Sequence, residues 1–401
     1  MNPRESLVLR GRVVLPREVV EDGVLVTEGE VIAWVGSSDI VPEPWATAAM
    51  ALPPSDDVLL PGLVDLHNHG GGGASFPEAP DAATVRTAAR EHLAHGTTRL
   101  VASLVTAPGP ALVERTAVLA AAVREGELVG IHLEGPFLSA HRCGAQDPRA
   151  MAAGDVELVR AVAATAGGAL ATMTYAPEVE GADGVVRALA ESGAVPSIGH
   201  TDATADRTRA SIELARAALA APGARSPRPT ATHLFNAMRP LHHREPGPVG
   251  ECLAAAARGE LVVELVADGV HLADETTRMV FDLVGADNIA LVTDAMAATG
   301  MPDGDYVLGG LGVTVRGGEA RLAEGGAIAG GTAHLLDVVR RTVGLGVPLP
   351  AAVRAAATTP AAVLGRADIG ALEAGRLADV VVTDGDLRVR EVYRAGRRVV
   401  G

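Results

Sequence analysis

The middle of the chain alternates short apolar segments with longer segments rich in Ala and Arg. The apolar segments have the length of buried strands, and Ala-rich segments such as 81–95 and 150–166 are typical of helices. Strands that alternate with helices form parallel sheets, and eight such units in roughly 300 residues predict a (β/α)8 TIM barrel. The eight predicted strands are 58–69, 97–106, 129–135, 170–176, 195–200, 230–235, 261–267 and 289–294.

Both ends of the chain are strand-like instead. Residues 6–15 and 23–36 alternate apolar with polar positions, and 377–383 and 387–400 do the same around a turn at Asp384-Gly385. Neither end is large enough to fold alone. We therefore predict an α/β fold with two domains: a small β-sandwich domain of residues 1–58 and 364–401, and a barrel of residues 59–363 with a Gly-rich hairpin insertion at about 306–330.

The composition limits where the protein can work and which kinds of partner it can bind. The net charge of -15 argues against a nucleic-acid partner, because phosphate backbones require basic surface. No apolar run is long enough to span a membrane, and the N-terminus lacks the apolar region of a signal peptide. Two cysteines, Cys143 and Cys252, are too few for a disulfide framework. These observations predict a cytoplasmic protein with no membrane partner.

The chain contains no lysine, since all of its 34 basic residues are arginines. A Schiff-base lysine, a P-loop lysine and a carbamylated lysine that bridges two metals are therefore excluded. The absence of lysine therefore excludes the classes of enzyme that depend on such a residue.

Histidines and carboxylates stand at the ends of the predicted strands, which is where barrel enzymes carry their chemistry. Two histidines one residue apart close the first strand, and an i, i+2 pair in extended backbone points to one side. Imidazole and carboxylate without thiolate suit Zn(II), Fe(II) or a similar ion in a catalytic site. The candidate residues are His67, His69, Glu134, His200, His233, His271 and Asp294.

Other interpretations of these residues remain open. The His67/His69 pair could bond to polar groups of the core, and Glu134 and Asp294 could act as structural hydrogen-bond acceptors. His132 is predicted to orient its neighbours rather than to bind a metal. The remaining candidates for packing or solvent-facing roles are His92, His95, His141 and His334.

Four motifs occur in order along the chain: His132-Leu-Glu-Gly-Pro-Phe137, Gly199-His-Thr-Asp-Ala203, Thr232-His-Leu-Phe-Asn-Ala-Met238 with Arg244-Glu-Pro-Gly247, and Val292-Thr-Asp-Ala295. Together they resemble the N-acetylglucosamine-6-phosphate deacetylases of the amidohydrolase superfamily. The resemblance runs from about residue 59 to 331. It implies a small domain split between the chain ends and hydrolysis of the N-acetyl group of N-acetyl-D-glucosamine 6-phosphate, which yields D-glucosamine 6-phosphate and acetate in amino sugar metabolism.

The resemblance also implies a metal centre. It assigns one metal to Glu134, His200 and His233. Members with His-x-His on the first strand bind a second metal there, so two divalent ions per chain are expected, with Glu134 bridging and Asp294 nearby. Zinc is the preferred ion, with iron, cobalt or manganese as alternatives. Asp294 is the implied general base and acid.

Substrate contacts follow from the same resemblance. Asn236, the Ala237 backbone and Arg244 are the implied phosphate cradle, with Arg244 reaching a neighbouring subunit's site, so a homodimer is expected. Gln146 stands where family members often have a histidine, which puts one sugar contact in doubt, and Cys143 lies in the same loop. The implied substrate-binding residues are Ala145, Gln146, Asn236, Ala237, Arg244, His271 and Ile328.

Three other functions compete with this one. N-acetylgalactosamine 6-phosphate differs from the gluco substrate by one inverted hydroxyl, so an enzyme for that epimer needs few changed contacts. Another amidohydrolase, such as a cyclic amidase or a deaminase, is a more distant alternative. A metal-binding scaffold without catalysis is the third, although a scaffold needs neither a general base nor Arg244.

Overall fold

The computed structural model describes residues 6–401. Its strands, numbered in chain order, are β1 Ser6–Val14, β2 Val19–Glu28, β3 Val31–Ser37, β4 Val58–Pro61, β5 Leu63–Asp65, β6 Gly70–Gly71, β7 Ala74–Ser75, β8 Thr97–Leu104, β9 Gly130–Glu134, β10 Leu170–Tyr175, β11 Val195–Ile198, β12 Thr230–Ala231, β13 Val262–Leu265, β14 Ile289–Leu291, β15 Gly304–Leu308, β16 Leu311–Arg316, β17 Glu319–Leu322, β18 Val380–Thr383, β19 Val389–Arg394 and β20 Arg397–Val400.

The α-helices are α1 Ala46–Ala51, α2 Ala82–Ala94, α3 Gly109–Arg124, α4 Val156–Ala166, α5 Ala182–Glu191, α6 Ala205–Leu219, α7 Gly247–Ala257, α8 Asp274–Val284, α9 Leu335–Gly344, α10 Leu349–Ala356 and α11 Thr358–Val363. Short 3-10 helices lie at Ser38–Ile40, Ala140–Arg142, Pro148–Ala150 and Ala286–Asn288. Across the described residues 6–401, no helix combines the length and apolar character needed to cross a membrane.

Eight parallel strands form the central sheet in the order β14-β13-β12-β11-β10-β9-β8-β5. The sheet closes beyond the ends of β5 and β14, where the Asp294 amide donates to the His67 carbonyl (2.9 Å) and the His69 amide donates to the Ala295 carbonyl (2.6 Å). Helices α2 to α9 follow the eight strands in turn. The predicted (β/α)8 barrel is confirmed.

Side-chain alternation along the strands builds two apolar layers. In β8, Leu100, Ala102 and Leu104 pack outward against the helices, and Val101 packs into the barrel interior. Adjacent residues of a strand face opposite sides of a sheet, so each barrel strand serves both layers. The barrel interior is therefore a packed core that holds the strand ends rigidly.

The predicted first strand, 58–69, is wrong in extent. The strand is interrupted at Gly62, where the chain passes from one sheet to the other: the Gly62 amide donates to the Asp379 carbonyl (2.9 Å) and the Leu63 amide donates to the Gly96 carbonyl (3.0 Å). β4, before the break, joins the small sheet, and β5, after it, joins the barrel. His67 and His69 therefore lie past the end of a strand rather than within one.

The two chain ends pair as predicted. They form one seven-stranded sheet in the order β20-β19-β18-β4-β1-β2-β3. Apolar side chains are buried on both of its faces: Leu25 and Ile32 pack on one side, and Val24 and Val26 pack with Ala49 of α1 on the other. Most of β4 lies beyond the predicted boundary at residue 58.

A buried ion pair attaches this small sheet to the barrel. The Asp379 carboxylate accepts hydrogen bonds from Arg99 Nε (2.6 Å) and Nη2 (3.0 Å) and from the Thr98 hydroxyl (3.2 Å). Arg99 belongs to β8 and Asp379 precedes β18, so the contact links the two sheets directly.

The Gly-rich segment after β14 contains three strands, β15 to β17, in an antiparallel sheet. Its apolar side chains, including Leu308, Val313 and Val315, pack against Val105 and Met296 of the barrel loops. The predicted hairpin insertion therefore corresponds to a three-stranded sheet that starts slightly earlier and lies over the carboxyl end of the barrel.

Candidate metal centre and active site

Six side chains meet at the carboxyl end of the barrel, all of them buried. They follow β5, β11, β12 and β14, or end β9, so five separate strands deliver them to one place. The structure brings together every residue predicted for the metal centre, which is the set His67, His69, Glu134, His200, His233 and Asp294.

Three of these residues have unusual backbone conformations. The φ angles are 46° at His200, 27° at His233 and 48° at Asp294. Positive φ is uncommon outside glycine and asparagine and persists only where surrounding contacts hold it. Each of these residues follows the end of a strand, and the turn there aims its side chain at the barrel axis.

Glu134 lies between two pairs of histidines. Its Oε1 is 2.8 Å from Nε2 of both His200 and His233. Its Oε2 is 3.2 Å from His69 Nε2 and 3.7 Å from His67 Nε2. A carboxylate with one oxygen toward each pair is arranged to bridge two cations.

Asp294 faces the first pair of histidines and a third histidine outside it. Its Oδ1 is 3.4 Å from His67 Nε2 and 3.2 Å from His69 Nε2. Its Oδ2 is 3.6 Å from His271 Nε2, and His271 Nδ1 lies 2.8 Å from the Asp268 carboxylate. Asp294 therefore stands between the histidine pair and a second histidine–carboxylate pair.

The donor set fits divalent metals. The Nε2 atoms of His67 and His69 are 3.0 Å apart, and those of His200 and His233 are 3.2 Å apart. Ligand atoms of a tetrahedral zinc ion are roughly 3.3 Å apart, given bonds of about 2.0 to 2.1 Å. Glu134 supplies a carboxylate oxygen to both groups, and within each group the ligand atoms lie within 4.8 Å of one another.

The pKa shifts of these histidines and carboxylates are those expected where positive charge is favoured. Burial lowers the pKa of His67 and His69, but the facing Asp294 and Glu134 carboxylates outweigh it, so the pKa of His67 rises well above its usual value and that of His69 rises to about 9. Burial raises the pKa of Glu134 and Asp294, yet the histidines reverse this and hold both below their usual range. Metal binding displaces such protons from its ligands.

The Nδ1 nitrogens of three of these histidines, on the ring side away from Glu134, also have polar partners. His67 Nδ1 lies 3.3 Å from a Glu264 carboxylate oxygen, His69 Nδ1 lies 3.2 Å from the Ser103 carbonyl and His200 Nδ1 lies 2.9 Å from the Arg142 carbonyl. Such partners fix ring orientation at metal sites. Sequence analysis missed Glu264, although a glutamate inside the apolar run of β13 was a usable signal.

His132 lies beneath the centre and does not join it. Its Nδ1 is 2.9 Å from the Ser103 hydroxyl and its Nε2 is 2.8 Å from the Thr174 hydroxyl. Burial, with His67 nearby, holds the pKa of His132 well below its usual value. A neutral ring with both nitrogens bonded supports its neighbours, which agrees with the orienting role predicted for it.

A cavity of about 240 Å³ opens from the metal centre. Leu308 of the insertion also lines it. Arg244 is absent from the lining, because it lies on an exposed turn at His242–Glu245. The cavity contains the other predicted substrate-binding residues, namely Ala145, Gln146, Asn236, Ala237, His271 and Ile328.

Gln146 has a role beyond the expected sugar contact. Its side-chain nitrogen donates to Glu134 Oε2 (2.7 Å), and its side-chain oxygen accepts from the Thr106 amide (2.8 Å). Both ends of the amide are therefore engaged in positioning the bridging carboxylate. Cys143 is partly exposed in the same loop, whereas Cys252 is buried in α7, where desolvation raises the pKa of its thiol to about 12.

The histidines assigned to packing or surface roles lie outside the cavity. His92 is buried beside Asn68, with its Nε2 2.9 Å from the Gly70 carbonyl, and His141 is exposed. His95 and His334 instead meet Glu91 in a third group of potential metal ligands.

Comparisons with known proteins agree with this geometry. Residues 58–399 match the amidohydrolase family. N-acetylglucosamine-6-phosphate deacetylase of Bacillus subtilis is 36% identical over 329 residues, which cover 80% of this chain and 78% of that protein. N-acetylgalactosamine-6-phosphate deacetylase of Escherichia coli O157:H7 is 32% identical over 85% of this chain and 87% of that protein.

Solved structures extend the match to the whole fold. A variant of N-acetyl-D-glucosamine-6-phosphate deacetylase from Mycobacterium smegmatis, in complex with N-acetyl-D-glucosamine-6-phosphate, superposes with a TM-score of 0.90 at 40% identity over 99% of this chain and 100% of that one. The Pasteurella multocida enzyme gives 0.87 at 25% identity over 99% and 100%. This chain therefore belongs to the amidohydrolase family, among the N-acetylglucosamine-6-phosphate deacetylases, as its motifs indicated.

Proposed function

We propose that this protein hydrolyses the N-acetyl group of N-acetyl-D-glucosamine 6-phosphate to D-glucosamine 6-phosphate and acetate. The observation that carries the proposal is the position of Asp294, which contacts the buried histidines on one side and lines the cavity with His271 and Asn236 on the other. A general base beside a metal centre, open to a cavity of sugar size, is what amide hydrolysis requires.

The metal centre is proposed to hold two ions, with zinc as the best match to its donors. Glu134, His200 and His233 would hold one, and His67, His69 and Glu134 the other. When bound, such ions lower the pKa of water and polarise the amide carbonyl. The coordination chemistry also admits iron, cobalt or manganese.

Asp294 is proposed to move the proton. Its low pKa keeps the carboxylate ionised at neutral pH, so it can accept a proton from the attacking water. The same proton then passes to the sugar nitrogen as the C–N bond breaks, and acetate leaves with the new C–O bond. Glu134 and the buried histidines would hold the metal ions beside Asp294.

The sugar phosphate is proposed to lie along the cavity away from the metal centre. Asn236, the Ala237 backbone and His271 line that part of the cavity, and Ala145, Gln146 and Ile328 complete its wall. Arg244 is exposed on its turn, from which it can extend into the cavity of a second copy. A guanidinium binds a phosphate dianion through two parallel hydrogen bonds, so a homodimer would complete the site.

We also propose that the enzyme works in the cytoplasm. A content of only two cysteines and a soluble sugar phosphate substrate support that location. The net charge of -15 supports the proposal that nucleic acid is not a partner.

The galacto epimer is the second candidate substrate, because one relative carries that activity in its name. Acetate release from the two 6-phosphosugars, compared as kcat/KM, distinguishes the candidates. We expect the gluco epimer to be preferred. Preference for the galacto epimer would reassign the substrate, and absence of acetate from both with the metal-loaded protein would contradict deacetylation.

A further inference from the structure

A third group of metal-ligating side chains lies outside the cavity, on the outer wall of the barrel. Glu91 is in α2, His95 is the residue that ends α2, and His334 is the residue that precedes α9. One ligand atom from each of the three residues lies within 4.8 Å of the other two. The proposed function uses none of them.

The carboxylate of Glu91 holds the group together. Its Oε1 is 2.9 Å from His334 Nε2 and 3.4 Å from His95 Nδ1, and the closer partner of that nitrogen is the Glu91 backbone carbonyl at 2.8 Å. The other nitrogen of His334, Nδ1, lies 3.4 Å from the Asp337 carboxylate. A histidine oriented by a carboxylate at one nitrogen, with the other nitrogen facing further ligands, is a common arrangement at metal sites.

The imidazoles of His95 and His334 are stacked. Their centroids are 3.5 Å apart and their planes are 16° from parallel. Two ligands of one ion must each point a nitrogen at it, so one ring has to turn. His95 can do so, because 44% of its side chain is exposed, against 11% for His334 and 23% for Glu91.

Solvent reaches the group through an open cavity of about 290 Å³. Its lining includes His95, His334 and Asp337, together with Leu387 from the turn between β18 and β19 and Val400 from β20. An ion can therefore enter without movement of the barrel, and the cavity leaves room for water as a fourth ligand.

The group also spans the seam of the barrel. α2 follows the first barrel strand, β5, and α9 follows the last, β14. Hydrogen bonds past the ends of these two strands close the seam, such as the one from the Asp294 amide to the His67 carbonyl. The Glu91 carboxylate lies against Gly300 of the loop after β14, so α2 already contacts the far side of the seam.

We propose that Glu91, His95 and His334 bind a zinc-class divalent ion that clamps α2 to α9 across this seam. Two of the three donors are imidazole nitrogens, which favours zinc over magnesium or calcium, the ions that prefer oxygen ligands. The ion would be structural, because it lies outside the cavity and leaves the catalytic residues untouched.

Ion counting tests the proposal directly. Protein with a loaded active centre is equilibrated with micromolar zinc, and zinc per chain is measured by mass spectrometry in wild type, His95→Gln and the control His243→Gln. His243 is an exposed histidine without this carboxylate partner. We expect wild type and His243→Gln to hold one more ion per chain than His95→Gln, with acetate release equal in wild type and His95→Gln.

Equal counts in wild type and His95→Gln would overturn the proposal, and so would an equal loss in His243→Gln, which would mean that surface imidazoles bind zinc indiscriminately. Glu91→Gln keeps the shape against Gly300 and should also lose the ion. Zinc should raise the Tm of wild type by about 2 to 5 °C more than that of His95→Gln. Because ions are counted independently of acetate release, failure here leaves the proposed deacetylation standing.

Discussion

The two ends of the cavity are built in different ways. At the metal end, buried side chains extend from five barrel strands, and backbone turns such as the one at His200 fix their direction. At the end proposed to bind the phosphate, none of the arginines in residues 6–401 lines the cavity, and Arg244 stands outside it on a surface turn that is closed by two hydrogen bonds between His242 and Glu245. The metal end is assembled within a single chain, whereas the proposed phosphate end would need a second copy to supply its cation.

This difference separates chemistry from recognition. Rigid strand ends hold catalytic groups to the small tolerances that proton transfer requires, whereas a loop can reach out to bind a ligand at some distance. Changes at the metal end should therefore lower kcat, and changes at the phosphate end should raise KM for phosphorylated substrates only.

The largest effect is expected at the metal end from Asp294→Asn. The amide is nearly the size of the carboxylate but cannot accept a proton. Loss of a general base costs about 10²- to 10⁴-fold in kcat. Metal content and substrate binding, measured by mass spectrometry and by titration of the inactive protein, should stay close to wild type.

If Asp294→Asn kept more than about a tenth of wild-type kcat, another group would be the base. His271 is the next candidate, because its Nε2 lies 3.6 Å from Asp294 and its Nδ1 is already paired with Asp268. His271→Asn would then show the larger loss.

Arg244→Ala tests the phosphate end and should have the next largest effect. Charge-assisted bonds to a dianion contribute roughly 1.5 to 3 kcal/mol each, so kcat/KM for the 6-phosphate should fall by about tenfold to a few hundredfold. The loss on unphosphorylated N-acetylglucosamine should be small. Equal losses on both substrates would show that Arg244 does not bind the phosphate.

Subunit exchange sharpens the same test. Asp294→Asn chains and Arg244→Ala chains are each impaired alone, but a mixed dimer has one site with both wild-type residues if Arg244 crosses the interface. Activity recovered on mixing would support the crossing. No recovery in a verified mixed dimer would place Arg244 in its own chain's site.

The barrel itself could be predicted from the sequence because its signals are local. Apolar runs of strand length, Ala-rich helices and polar residues at strand ends are all visible in a few consecutive residues. The break at Gly62 was missed for a physical reason: it depends on backbone hydrogen bonds to Asp379 and Gly96, which lie far away in sequence. Strand lengths such as the two residues of β12 likewise depend on tertiary hydrogen bonding.

The sequence predicted the metal ligands of the candidate site but not the residues that support them. The rule that barrel chemistry lies at strand ends was sufficient to collect the histidines and carboxylates of the metal end. It could not show that Gln146 contacts Glu134, because a loop residue's partner depends on how the loop packs. Glu264 was missed because its only signal was a charged residue within an apolar strand.

Gln146→Met tests whether this loop supports the metal end. Methionine has a similar volume but neither donates to Glu134 nor accepts from the Thr106 amide. Loss of a partner that orients a metal ligand typically costs about 10- to 100-fold in metal affinity or activity. The expected result is weaker metal retention against a chelator, with KM for the sugar phosphate little changed. A rise in KM with normal metal affinity would instead make Gln146 a sugar contact.

The smallest change, in number of ions rather than in rate, is expected when His67 and His69 are both replaced by asparagine. The pair shares only Glu134 with the His200/His233 group, so the second group should keep its ion when the first is lost. Metal is counted in a His95→Gln background, so that the group of Glu91, His95 and His334 contributes no ion. The content should then fall from about two ions per chain toward one. If the His95→Gln protein with His67 and His69 intact holds only one ion under metal-replete conditions, the centre binds a single metal. The two-ion proposal would then be abandoned.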